Sequence, residues 1–139
     1  MTQPAGRFHA FIDTSGFFAA LRGDDADNAL ALDTMRRLVE SGHLVCTSNF
    51  VVAETHALLL TRRNRFEAHR FLASFDEGGI AIVRVSEADE GQARAIIEQY
   101  ADKDFSYTDA TSFALIQRLG IPSALSFDRH FLQFGIPLP

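Results

Sequence analysis

The sequence predicts an α/β protein, a three-layer α/β/α sandwich with a central parallel sheet. Two observations lead there. Short, wholly apolar runs alternate along the chain with longer segments of helical period, the pattern of buried parallel strands joined by crossover helices. No repeat, low-complexity tract or linker interrupts that alternation, so residues 1–139 are expected to form one domain.

Taken in order, Phe8–Ile12 reads as a short buried strand that stops at Asp13. A short helix follows, through the Phe-rich segment beginning at Phe17, and Asp13 stands where its cap would be. Asp24 or Asp25 is placed to cap a helix running to about Ser41, with Gly42 as its stop. Leu44–Thr47 is a second strand. A long helix begins near Asn49, itself a favourable cap, and reaches about Arg62. Another spans about Arg65 to Ser74 and ends at the turn signal Asp76-Glu77-Gly78-Gly79. The β-branched run Ile80–Val85 is a third strand. Ser86-Glu87-Ala88-Asp89 has the form of a capping box and opens a helix to about Tyr100. Past the charged loop Asp102-Lys103-Asp104, a helix runs from Ser106 or Thr108 to Leu119, with Gly120 as its stop. Ser123–Phe127 is a fourth strand, and Phe134–Leu138 is expected to add a short fifth.

Composition narrows the function classes. With 47% hydrophobic and 22% charged residues the chain can fill a core, and thirteen Phe with no Trp make that core Phe-rich. A single cysteine, Cys46, excludes an internal disulfide; its apolar surroundings predict a buried, inert thiol and fit a reducing cytoplasm. No window approaches the ~18 apolar residues of a membrane span, and MTQPAGR lacks the form of a secretion signal. A cytoplasmic protein without membrane contact is expected. The net charge of −5 argues against nucleic-acid binding by bulk charge, which leaves local basic patches.

Chemistry in a parallel sheet collects beyond the carboxyl ends of its strands. Asp13 ends the first strand, and Asp128 follows the fourth in SALSFDRHF. Glu54 lies in the second turn of the helix after strand two, on a face with Phe50, Val51, Ala57 and Leu58. Asp109 lies in the first turn of FSYTDATSFAL, on a face with Ser112, Phe113 and Ile116. Each acid also has a local explanation: a cap for Asp13, a capping box with Ser106 for Asp109, a turn for Asp128. Glu54 has the weakest of these. Four acids converging on one edge could not all stay ionised without a cation, and a carboxylate set suits a hard one, Mg²⁺ or Mn²⁺. The five scattered histidines form no zinc-like set with Cys46. Such a cage suits phosphodiester hydrolysis.

These four motifs, IDTSG, SNFVVAET, SYTDATSF and SFDRHF, in this order, resemble the PIN-domain ribonucleases, with the closest likeness to bacterial toxins of the VapC type. The resemblance spans nearly the whole chain. It implies a Mg²⁺- or Mn²⁺-dependent endoribonuclease, usually a homodimer and often inhibited by a small antitoxin. Asp13, Glu54, Asp109 and Asp128 match the family's acidic quartet, and Ser15 a hydroxyl that supports the first acid, with Thr14 beside it. Asp104 is a further acid near the site, in a loop that also reads as solvated. RNA contacts are expected from Arg62, Arg63 and Arg65, from Arg129 and His130 beside Asp128, and from Lys103. A housekeeping RNA-processing nuclease of the same fold, or an inactive binding module, are the alternatives; the complete quartet disfavours the module. Receiver and phosphatase domains fit poorly, because Asp128 stands where a receiver has Lys and Ser15 where the phosphatases have a second Asp.

Overall fold

The computed structural model describes residues 7–139. Apart from Arg7, the amino-terminal stretch read for a secretion signal lies outside them. The chain runs β1 (Ala10–Ile12), α1 (Thr14–Leu21), α2 (Asn28–Glu40), β2 (Val45–Ser48), α3 (Asn49–Arg62) and α4 (Arg65–Ser74). A 3₁₀ turn at Phe75–Glu77 follows, then β3 (Ile80–Val83), α5 (Glu87–Gln99), α6 (Tyr107–Leu119), β4 (Ala124–Leu125) and α7 (Arg129–Gln133). All strand pairs are parallel, in the order β3-β2-β1-β4, with helices flanking the sheet. This is the predicted α/β sandwich.

Local chemistry accounts for most element ends. Both capping boxes form: Ser86 with Asp89 at α5, and Ser106 with Asp109 at α6. Gly42, Gly78, Gly79 and Gly120 take the positive φ that their turns and helix stops need. Burial pushes the Cys46 thiol up to about 12, so it stays protonated and inert.

β1 starts at Ala10 rather than Phe8, β2 is shifted by one residue to Val45–Ser48, and β4 keeps only Ala124–Leu125 of the expected Ser123–Phe127. Further differences have a visible local reason. The helix expected from Asp24 or Asp25 starts at Asn28, because Asp25 Oδ1 accepts the Asp27 amide in a turn. Asn28 then donates to the Ala19 carbonyl at 2.7 Å, tying α2 to α1. Ser48, not Asn49, caps α3 by accepting from the Val51 amide. Asn49 Oδ1 instead takes the Val85 amide at 2.8 Å, which ends β3 at Val83. β3 is an edge strand with Ala81 and Ile82 exposed, unlike the buried strand expected. The fifth strand does not form. Phe134 follows the short helix α7 that the sequence reading lacked, and only Pro137 reaches the sheet, through its carbonyl to the Ala124 amide. Pro137 and Pro139 have no N–H to extend a ladder.

One glycine fixes the frame of the site. A Cβ on Gly16, buried in the first turn of α1, would lie 2.2 Å from the Leu125 carbonyl oxygen of β4. That carbonyl also accepts the Asp13 amide at 3.2 Å. Gly16→Ala therefore must push α1 off β4, and we expect a loss of at least ~1–3 kcal/mol, read as a lower thermal midpoint. A midpoint equal to wild type would show that the contact has slack.

Candidate active site

The carboxyl edge of the sheet places the acids by register. Ile12 pairs with Leu125, so the next residues, Asp13 and Ser126, emerge side by side. Glu54 arrives from the second turn of α3 and Asp109 from the first turn of α6. Asp128 stands at the head of α7. All four acids line one open cleft of ≈ 320 Å³, with Thr14, Ser15 and Phe127 also in its wall. The structure thus brings together the four acids and both supporting hydroxyls.

Donors hold each carboxylate by one oxygen. Ser15 and Ser126 hydroxyls donate to Asp13 Oδ2 at 3.2 and 3.1 Å. Ser15 Oγ also accepts the Phe127 amide at 2.9 Å, bridging the ends of β1 and β4. Thr14 Oγ1 donates to Glu54 Oε1 at 2.7 Å and accepts from Thr55. Asp109 Oδ2 accepts the Ser106 amide at 3.1 Å and sits 3.0 Å from His130 Nδ1. Asp128 Oδ1 accepts the His130 amide at 2.9 Å. One local explanation is therefore real, since Asp109 completes a box; in place of the turn expected at Asp128, that residue caps α7. Both still present a carboxylate to the shared cleft. Asp13 occupies the cap position of α1 without making a side-chain cap bond.

Asp13 carries the electrostatic strain. It is 3% exposed. Burial pushes its carboxyl up to about 7; the Asp109 and Glu54 carboxylates add to the rise, while the Thr14 amide and Ser126 hydroxyl oppose it. A proton or a cation would relieve the charge of Asp13. Asp109, Asp128 and His130 each offer a ligand atom, and the three atoms lie within 4.8 Å of one another. Asp13 and Glu54 lie outside that group; its two carboxylates suit a hard divalent ion, and its imidazole a transition metal such as Mn²⁺ as well.

The expected RNA contacts separate. Arg62 lines the cleft. Arg63 is bound to Glu67 at 2.9 Å and Lys103 to Asp102 at 3.1 Å, both on the surface. Arg65, Arg129 and Asp104 are exposed, and none of them lines the cleft. His130 turns to Asp109 and Asp128 rather than outward. Ser126 and Arg22, which also lines the cleft, escaped the sequence reading. Ser126 looks like any strand serine, and only the pairing of β1 with β4 puts it beside Asp13.

With this geometry in place, comparison with known proteins is informative. The PIN domain model matches residues 10–137. The 23S rRNA-specific endonuclease VapC20 of Mycobacterium tuberculosis is 35% identical over 126 residues, covering 90% of this chain and 93% of that protein. The crystal structure of that VapC20, described as a sarcin–ricin loop cleaving toxin, superposes with a TM-score of 0.81 at 32% identity, covering 91% of this chain and 95% of that one. VapBC2 from Rickettsia felis, solved with a DNA fragment from its promoter, shares the fold at a TM-score of 0.68 and 14% identity, covering 94% and 96%.

Proposed function

The chain belongs to the PIN-domain family, and on that premise we propose that it is a divalent-metal-dependent endoribonuclease, the toxin of a toxin–antitoxin pair. One observation carries the reading: Asp13, Glu54, Asp109 and Asp128 share one cleft, which Asp25 and Asp27 also line, and the buried Asp13 carboxylate has a charge that a cation would offset. The relative at 35% identity cleaves 23S rRNA, which supports ribosomal RNA as the substrate class. Residues 1–139 act as one nuclease domain in the cytoplasm, as a homodimer held in check by a small antitoxin. No helix among the described residues is long and apolar enough to cross a membrane.

Asp13 and Asp109 would be the main ligands of Mg²⁺ or Mn²⁺, with Glu54 and Asp128 completing the set. The ion supplies positive charge for the phosphate and acidifies water. The chain's own residues do the rest. Ser15 and Ser126 hold Asp13 Oδ2, and Ser106 and His130 hold Asp109 Oδ2, which fixes the orientation of both carboxylates. Thr14 holds Glu54 Oε1, leaving Oε2 to take a proton from the attacking water. Phe18, Leu58 and Phe127 form the apolar part of the cleft wall.

The test is sequencing of RNA ends after induced expression, and after incubating purified protein with ribosomes in Mn²⁺, Mg²⁺ or EDTA. A dominant cut in 23S rRNA that EDTA removes is expected. Metal-dependent cuts confined to precursor RNAs would favour a processing nuclease. No metal-dependent cut in either arm would leave only a binding module.

A further inference from the structure

Two arginines of this chain contrast sharply. Arg118 presents its Nε and Nη2 to buried Asp89 at 2.8 and 2.9 Å, a satisfied fork that joins α6 to α5. Arg22, the residue after α1, presents the same two nitrogens differently. Its Nε is buried and has no hydrogen-bond partner. Its Nη2 reaches only exposed Asp24, at 3.4 Å. A buried guanidinium N–H without a protein partner is costly, and an acceptor from outside the chain would relieve that cost.

The surroundings say for what. Arg22 lines the same cleft as Asp13, Glu54, Asp109 and Asp128. It makes no ion pair with any of them among the described residues. Its backbone is pinned on both sides: its amide donates to the Phe18 carbonyl, and its carbonyl accepts the Asp25 amide. Arg22 also lines a second depression with Leu21, Leu59 and Phe71. Arg62, at the end of α3, enters the same cleft, and no ion pair of its own is found among the described residues.

We propose that Arg22, aided by Arg62, grips a backbone phosphate next to the scissile one and so sets which bond of a bound RNA reaches the acids. This rests on the endoribonuclease reading and adds to it a positioning residue. A guanidinium fork matches two phosphate oxygens, whereas Asp24 fills only half of Arg22's fork. The contact to exposed Asp24 is long, at 3.4 Å, and neither Asp25 nor Asp27, which also line the cleft, forms an ion pair with Arg22 among the described residues.

The experiment compares wild type, Arg22→Gln, Arg22→Lys and Arg118→Gln on a synthetic sarcin–ricin loop hairpin with Mn²⁺. Binding of the same hairpin is measured against salt in an Asp13→Asn background. Arg22→Gln should raise KM about tenfold or more, with a much smaller change in kcat. The slope of log affinity on log salt should fall by ~0.7, one phosphate contact on a single strand. Arg22→Lys, a point charge without the fork, should keep the salt slope but recover KM only in part. Arg118→Gln should lower the thermal midpoint and leave the slope alone. A wild type that cuts, with an Arg22→Gln that matches it in KM and slope, overturns the grip alone. An Arg22→Gln whose only defect is a lower midpoint also overturns it. A wild type that neither cuts nor binds the hairpin, or any other RNA offered with Mn²⁺, overturns the nuclease reading and the grip together.

Discussion

Asp13→Asn is expected to abolish cleavage and, in metal-free protein above pH 7, to raise the thermal midpoint. The first half follows from position. Asp13 is the acid that most needs the cation, and a neutral amide supplies one weak ligand oxygen where an anion stood. The several kcal/mol that a bound ion contributes to phosphoryl chemistry correspond to a rate loss on the order of 10²–10³-fold or more. The second half follows from burial. An ordinary aspartate titrates near 3.8 and Asp13 near 7, so above pH 7 the folded state holds a charge that the unfolded chain holds more easily. That difference amounts to on the order of 4 kcal/mol. Asparagine removes it while keeping the shape, and Ser15 and Ser126 can turn their hydroxyls to accept from the new amide. A gain of several degrees by calorimetry at pH 8, joined to lost cleavage, would mark Asp13 as a residue kept for function against stability. Retained cleavage would end the proposed mechanism; a lowered midpoint would show that the Asp13 charge stabilises the fold.

That trade explains which features could be read from sequence. Buried parallel strands are continuous apolar runs and capping boxes are local, so the alternation and both boxes are visible in single segments. The acids are legible for the opposite reason. A carboxylate directly after an apolar strand, or on the inward stripe of a helix, breaks the local pattern, and such breaks mark sites. What escaped is whatever depends on neighbours distant in sequence. Ser126 sits by Asp13 through the pairing of Ile12 with Leu125. The exposure of β3 reflects its place at the sheet edge. Arg22 and Arg118 are the same residue type at the ends of helices, and only their partners, one satisfied and one not, tell them apart. The cluster Arg62, Arg63 and Arg65 looked uniform in sequence, yet helix geometry sends Arg62 into the cleft and Arg63 to Glu67.

Metal-free wild type should lose stability as pH rises from about 4 to about 7, the reverse of what paired carboxylates give. The sign comes from proton counting. In this window the folded state, with Asp13 near 7, binds more protons than the unfolded chain, with Asp13 near 3.8, so each pH unit favours unfolding until the slope ends near 7. Asp89 works the other way. Burial pushes its carboxyl up, but the Arg118 fork and the Ser86 donors outweigh that and hold it below the usual range. Its contribution is complete above the ordinary carboxylate pKa and is lost only as pH falls below it, so the two effects occupy different windows. With Asp13 as a ligand in the proposed site, Mn²⁺ or Mg²⁺ would have to displace its proton to bind, so its affinity should rise up to tenfold per pH unit below 7 and level off above. Denaturant titrations at pH 5 and 8, with EDTA or with Mn²⁺, check both. With EDTA the protein should be less stable at pH 8, by up to the same order of 4 kcal/mol; with Mn²⁺ most of that difference should vanish. Asp13→Asn should flatten the EDTA profile and lose the Mn²⁺ effect. An EDTA profile that rises from pH 5 to 8 would mean that Asp13 is ionised throughout, held by donors rather than waiting for a cation.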